Sequence, residues 1–161
     1  MSAVCFLFAR NLQSLLTKEG RSPPPIGLVS SEWGGSPIQS WCPQEVLDQC
    51  EDYLNLSKQK LKSTPQHTEQ SLWNGMINPL KRISVKGFLW YQGERNTNDA
   101  YNRDQYQCTF PAMIAAWRRE FSKYSSTSPD APFGFVQLGV IVYLGFPLKM
   151  FLLSFRVSLV I

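Results

Sequence analysis

A chain of 161 residues, 43% of them hydrophobic and 17% charged, is long enough for one folded domain, and this composition excludes an intrinsically disordered protein. The formal net charge of +4 comes without a long basic run or a recognition module, which argues against nucleic-acid binding. A single His and four Cys without a CxxC pair argue against a zinc site, and no metal or other cofactor is expected.

The N-terminal residues predict an amphipathic helix that starts almost at Met1. The segment has no basic region and no small-residue cleavage site, so it is not interpreted as a signal peptide. Its apolar residues follow helical spacing instead, and they are Val4, Leu7, Phe8, Leu12, Leu15 and Leu16.

A proline-rich loop at 19–27 separates this helix from a short buried strand predicted at 26–31. The strand runs into Gly34-Gly35, which permits backbone conformations that other residues avoid. Residues 43–54 then predict a short helix with Pro43 in its first turn.

Residues 55–70 are polar and predict a surface excursion, which contains the glycosylation sequon at Asn55 and the single His, His67. Residues 71–80 read as a turn-rich loop.

A second strand is predicted at 83–91 and stops abruptly at Gln92-Gly93-Glu94. Asn98 or Asp99 can cap the helix that follows, in which Pro111 predicts a kink or a restart. A third strand is predicted at 131–138. The apolar stripe of the helix is formed by Tyr106, Phe110, Met113, Ile114, Trp117 and Phe121.

Residues 139–161 differ in composition from the rest of the chain and contain no acidic residue. Pro147, Lys149 and Arg156 interrupt the apolar run and disfavour a membrane-spanning helix, because each central charge costs roughly 2.5–3.5 kcal/mol. We therefore interpret 1–138 as one domain and 139–161 as an atypical apolar tail, exposed and prone to aggregation.

Strands that alternate with helices indicate an α/β fold with a parallel sheet. Ligands of such sheets bind beyond the carboxyl ends of the strands. Gly34-Gly35-Ser36 follows the first strand and Gln92-Gly93-Glu94 follows the second, so both polar clusters are expected at the same edge of the sheet.

Four stretches resemble the sialate O-acetylesterases of the SGNH hydrolase group. They are MSAVCFLFAR at 1–10, PIGLVSSEWGGSPIQSW at 25–41, LWNGMINPL at 72–80 and GFLWYQGERN at 87–96. The resemblance implies a three-layer α/β/α, flavodoxin-like fold, partial in this chain. It also implies metal-free hydrolysis of O-acetyl esters on sialic acids by a Ser nucleophile, a His base supported by Asp, and an oxyanion hole.

Carried onto this chain, the resemblance implies that the backbone N–H of Gly34 or Gly35 and the side-chain amide of Gln92 donate hydrogen bonds to the oxyanion. Gly93 and Glu94 would support the loop. The nucleophile block and the Asp-His block of the family have no counterpart here, so we expect a truncated chain that is inactive alone. The alternative is a sialoside-binding or membrane-associated remnant.

The remaining candidates have structural as well as functional interpretations. The Ser31 and Ser36 hydroxyls fit turn and capping roles better than nucleophiles, since neither lies in a G-x-S-x-G elbow, and His67 fits a solvated loop. Trp33 and Trp73 are candidates for stacking on a sugar in the cleft, whereas Trp90 is expected in the core.

Asn74 is a further candidate, for positioning the substrate or for bracing its loop. The complete family member is expected in lysosomes or secreted, where the four cysteines would allow three disulfide connectivities. In the cytosol they would be core thiols.

Overall fold

The computed structural model describes residues 3–51, 68–97, 100–138 and 156–160. These ranges contain three α-helices and four strands. The helices are α1 (Ala3–Lys18), α2 (Gln44–Gln49) and α3 (Ala100–Tyr124). The strands are β1 (Leu28–Ser31), β2 (Gly87–Tyr91), β3 (Phe133–Phe135) and β4 (Arg156–Val160).

The sheet has the order β1-β4-β2-β3. β2 and β3 pair in parallel, and β4 runs antiparallel to both of its neighbours, β1 and β2. The α/β class expected from the sequence is confirmed, with β1, β2 and β3 all running in one direction. β4 was not predicted: it lies in the segment interpreted as an exposed tail, and the structure places residues 156–160 inside the sheet instead.

The three predicted strands are present but shorter than expected. β2 begins at Gly87, and two residues earlier the N–H of Val85 donates to the Thr127 hydroxyl at 2.9 Å instead of to a strand. The predicted loop at 71–80 is wrong, because Trp73–Ile77 forms a turn of π-helix and Asn78–Leu80 a 3-10 turn. The sequon at Asn55 and His67 lie outside the described residues.

The core lies between β2 and α3. Phe88 and Trp90 are buried on one face of β2. The Trp117 ring meets Phe88 and Trp90 edge to face at centroid distances of 5.9 and 5.8 Å, an arrangement that aromatic quadrupoles favour. Phe121, one turn further, packs edge to face on Phe88 at 5.2 Å. The predicted core position of Trp90 is confirmed.

α3 continues unbroken through Pro111, so the helix does not restart there as one of the predicted alternatives required. Proline removes one backbone hydrogen bond from a helix interior. The burial of Met113, Trp117 and Phe121 against the sheet offsets that loss.

A disulfide joins Cys50, which caps the carboxyl end of α2, to Cys108 in α3, with the two Cα atoms 5.8 Å apart. Four cysteines in two bonds allow three connectivities. Only the Cys50–Cys108 bond of one of them is formed, because Cys5 and Cys42 are not disulfide-bonded. Cys42 keeps a buried thiol whose Sγ donates to the Ile38 carbonyl at 3.3 Å. Burial raises the pKa of this thiol, so it stays protonated and unreactive.

Within the described residues no helix combines the length and apolar character needed to cross a membrane.

Candidate active site

The loops that follow β1 and β2 meet at one edge of the sheet. The Gln92 side-chain Nε2 donates to the backbone carbonyl of Ser36 at 3.0 Å. This contact confirms that the two polar clusters predicted from the sequence converge. This hydrogen bond therefore holds the Gly34-Gly35-Ser36 loop directly against the end of β2.

A buried network of side-chain amides holds the two loops together. Asn96 Oδ1 accepts from the Ile38 backbone N–H at 2.9 Å and from Gln92 Nε2 at 2.7 Å, and Asn96 Nδ2 donates to Gln39 Oε1 at 3.0 Å. Gln39 Nε2 in turn donates to Gln105 Oε1 on α3. Asn96 is only 1% exposed, so each of these contacts satisfies a group that water cannot reach.

Sequence reasoning missed Gln39, Asn96 and Gln105 as organisers of the site. Gln39 and Asn96 lie inside the stretches that carry the family resemblance, at 25–41 and 87–96. Their place in these stretches was the available signal, but it does not indicate that their side chains are buried, and Gln105 lies in neither stretch.

The glycine loop presents a backbone donor at Gly34. Gly35 adopts φ +72°, a left-handed conformation that glycine takes without steric cost. Gly34 is exposed, and within the described part of the chain nothing accepts a hydrogen bond from its N–H. Of the two glycines predicted as oxyanion donors, Gly34 therefore has the free donor.

The backbone conformation at Gly93 favours glycine. Its φ of +148° lies in a region that other residues rarely adopt, and an added Cβ would lie 2.8 Å from Leu138 Cδ1. Another residue at this position would have a strained backbone and would require Leu138 to move, while the role of Gly93 in loop support stays a prediction.

Tyr106 on α3 makes hydrogen bonds to β2 and to the loop that follows it. Its hydroxyl accepts from Trp90 Nε1 at 3.1 Å and donates to the Gln92 backbone carbonyl at 3.3 Å. Burial is the largest cause that raises the pKa of Tyr106 to about 12, so the phenol stays neutral and keeps its proton for this bond.

Glu94 begins the 3-10 turn Glu94–Thr97 directly after Gly93. Burial raises the pKa of its carboxyl above the ordinary value, against a smaller lowering by its own backbone N–H. Its Oε2 atom is buried without a hydrogen-bond partner. The predicted bracing by a carboxylate hydrogen bond is not seen at this oxygen; the turn is closed by the Thr97 hydroxyl, which donates to the Glu94 carbonyl at 2.8 Å.

The two candidate serines have structural partners. The Ser31 hydroxyl donates to the Met76 carbonyl at 3.1 Å and so ties β1 to the π turn. The Ser36 hydroxyl donates to the Trp33 carbonyl and accepts from Trp41 Nε1, both at 2.8 Å. The Ser36 contact with Trp33 fits the turn role favoured by the sequence, whereas Ser31 makes a contact between distant segments instead of a turn or a cap.

The three predicted substrate-binding residues differ in their exposure to solvent. Trp33 is 42% exposed beside Gly34, and Asn74 is exposed on the π turn. Trp73 is instead in the core, 5% exposed, with its ring 6.2 Å from that of Trp117. The expectation that Trp73 lies in the cleft needs this correction: its indole fills space under α3.

A cavity of about 420 Å³ lies beside the loop that follows β2. It is bounded by the carboxyl ends of β2 and β3 and by the first half of α3. Its walls are largely apolar and include Trp90, Phe110, Phe135 and Leu138, with Gln92 and Asn96 at its polar end. No group of three His, Cys, Asp or Glu that would hold a metal ion occurs among the described side chains.

The chain matches the family model "Carbohydrate esterase, sialic acid-specific acetylesterase" over residues 3–142. It is 41% identical to the sialate O-acetylesterase of Rattus norvegicus and 44% identical to that of Homo sapiens, each alignment covering 86% of this chain. It is also 38% identical to the Mus musculus protein of that name. The chain spans only 25–29% of the length of these relatives. The chain belongs to the family of sialic acid-specific acetylesterases.

Proposed function

We propose that the loops after β1 and β2 form the oxyanion-binding wall of a site for O-acetyl esters of sialic acids. The observation that carries this proposal is the exposed Gly34 N–H, which has no acceptor among the described residues and lies on a loop fixed from below by Gln92 and Asn96. A backbone donor held rigidly stabilises the negative oxygen of a tetrahedral intermediate without reorganising.

Gln92 has one structural role in that wall and one predicted role in binding the oxyanion. Both hydrogens of its amide are engaged, with the Ser36 carbonyl and with Asn96 Oδ1, so its first role is to position the glycine loop. A second role as a direct oxyanion donor stays a prediction. It requires that substrate binding release one of these two contacts.

We expect no ester hydrolysis by this chain alone. An unassisted hydroxyl is a weak nucleophile and needs a neighbouring base. Ser31 and Ser36 donate to protein carbonyls, and the chain has one His, which follows a polar stretch and lies outside the described residues. The nucleophile and the Asp-supported His would have to be supplied by other polypeptide.

Two measurements on the purified 161-residue chain test the proposal. Acetate release from an O-acetylated sialic acid should not exceed the rate without protein. Titration with the same sugar should shift the Gly34 amide signal in an NMR spectrum, whereas the sugar without its acetyl group should shift it less. Catalytic turnover would refute the incomplete-site proposal, and an unmoved Gly34 signal would refute the oxyanion wall.

Gly75 offers a matched control for this titration. It is an exposed glycine whose added Cβ would meet nothing within 4 Å, and it lies on the π turn rather than on the glycine loop. Its signal should stay in place with both sugars.

A second candidate function is sugar binding without cleavage. The exposed indole of Trp33, beside Gly34, favours it, because aromatic faces pack against the apolar faces of sugars. Replacing Trp33 by Ala should then weaken the affinity for both the acetylated and the non-acetylated sugar. An effect confined to the acetylated sugar would favour the oxyanion wall instead.

For the compartment, we propose lysosomal or secreted localisation. The Cys50–Cys108 disulfide supports it, because such bonds persist in oxidising environments and are rare in the cytosol. Mass spectrometry after alkylation of the protein from its own cells checks this: free Cys50 and Cys108 thiols would argue for a reducing compartment.

A further inference from the structure

Among the described strands, β1 and β2 pair with β4 and not with each other. Leu28–Ser31 pairs along its whole length with β4 on one side, and Gly87–Tyr91 pairs with β4 on the other. Neighbouring strands lie about 4.8 Å apart, so β1 and β2 are separated by about 10 Å, the width of one inserted strand. Without β4, β1 would have no strand neighbour and β2 would expose an edge beside its buried aromatic residues.

The register of β4 matches the faces of its neighbours. Val157 is opposite Trp90, and Leu159 is opposite Phe88. Directly paired residues share a face of the sheet, so the two apolar positions of β4 fall on the core face, while Ser158 falls on the other face with Ser30. A slip of one residue would place Arg156 and Ser158 on the core face. The alternation therefore specifies this register.

The direction of β4 explains how the same chain reaches the gap. β3 ends at the carboxyl edge of the sheet, and β4, being antiparallel, starts at that edge, with Arg156 opposite Tyr91. Residues 136–155 lie between the two strands in the sequence, and extended chain covers about 3.3 Å per residue. The distance across two strand spacings is only about 10 Å, so the connection within one chain is short enough.

We infer that the gap between β1 and β2 is a strand-acceptor site, which residues 156–160 of the same chain occupy. The site takes an extended antiparallel segment and selects for apolar residues at the two positions opposite Phe88 and Trp90. Consecutive parallel strands that flank a third strand also occur in doubly wound sheets of the flavodoxin type. Here the strand between them comes from the carboxyl side and runs the other way.

Engineered cysteine pairs in the full chain test the register and the source of the strand. Ser30→Cys with Ser158→Cys joins directly opposite positions on the face away from the core, and mild oxidation should form a disulfide within one chain. Ser30→Cys with Leu159→Cys is the matched control, because its two positions lie on opposite faces and should react at least about tenfold more slowly. The parent chain gives the background of the native cysteines.

Each outcome decides the inference. A covalent dimer from the Ser30 and Ser158 pair would show that the strand comes from a second copy and would overturn the same-chain assignment. Equal reaction of the two pairs, or no reaction of either, would overturn the acceptor site itself. Peptide mapping distinguishes the engineered bond from the native disulfide.

The selectivity has its own test in the Ser30→Cys, Ser158→Cys background. Leu159→Asp places a carboxylate on the core face and should slow formation of the engineered disulfide about tenfold or more. Val160→Asp, on the other face, should leave the rate within about twofold. Equal slowing by both variants would contradict selection by face.

Discussion

α1 and α3 were both predicted from the spacing of apolar residues, yet they differ in what they bury. In α3 the stripe supplies Met113, Trp117 and Phe121 to the core. In α1 only Cys5 and Ala9 are buried, while Phe6 and Leu15 are 51% and 58% exposed. Periodicity therefore establishes that a helix has an apolar face, but the partner that covers that face is a separate matter.

The largest expected loss of stability is for a substitution in α3. Trp117→Ala should lower the free energy of unfolding by about 3–5 kcal/mol, because it leaves a cavity beneath Phe88 and Trp90. Chemical denaturation followed by circular dichroism measures this loss. A loss below about 1 kcal/mol would mean that α3 does not pack on the sheet as described.

Replacing Cys50 and Cys108 together by Ala should cost about 2–4 kcal/mol, because the bond restricts the unfolded chain between α2 and α3. The same denaturation experiment applies. Cys42→Ala, which removes a buried thiol but no crosslink, is the control and should cost about 1 kcal/mol. Equal losses would show that the crosslink adds nothing beyond packing.

Asn96→Ala should cost about 2–3 kcal/mol, since it leaves Gln92, Gln39 and the Ile38 N–H without their buried partner. Asn74→Ala on the exposed π turn should stay within about 0.5 kcal/mol. Thermal melting of the two variants checks whether the loss comes from the buried amide network, since both variants lose one asparagine. Similar melting temperatures for both would contradict the network.

Glu94→Gln should change how stability depends on pH. The folded-state pKa of Glu94 is raised, so its protonated form stabilises the fold. That contribution is complete below the ordinary carboxyl pKa and is lost as the pH rises through the raised value. The free energy of unfolding of the variant, relative to the parent, should therefore increase over this window and then level off. Parallel pH curves for the two chains would contradict it.

The smallest effect is expected on α1. Leu15→Gln keeps a good helix former and should change stability by less than about 0.5 kcal/mol, because the side chain is largely exposed. Denaturation under the same conditions as for Trp117→Ala gives the direct comparison. A loss of several kcal/mol would show that something covers this face of α1 in solution.

The sequence predicted α1 and α3 from the helical spacing of their apolar residues, and the three parallel strands from short apolar runs. It also predicted that the loops at Gly34 and Gln92 converge, because parallel strands bring their carboxyl ends to one edge. β4 was missed since five alternating residues within an apolar tail carry a weak strand signal. Their pairing depends on a gap formed by strands distant in sequence.

The site was harder to predict for a related reason. Gln39, Asn96 and Gln105 are polar, and polar residues are usually at the surface. Their burial depends on three segments meeting, which no local pattern reports. The same holds for Trp73, whose place under Trp117 comes from the π turn. The disulfide pairing likewise depends on a distance in space rather than on spacing along the chain.

The position of β4 also has a consequence for biosynthesis. β1 precedes its partner strand in the chain, because β4 follows only after β2, α3 and β3 have been synthesised. Until then the β1–β4 pairing described here cannot form, and pairings between distant segments form slowly. During synthesis β1 thus lacks its β4 partner, and holdase chaperones would recognise the exposed strand. Growth of the expressing cells at lower temperature should raise the soluble yield, because it slows self-association during that interval.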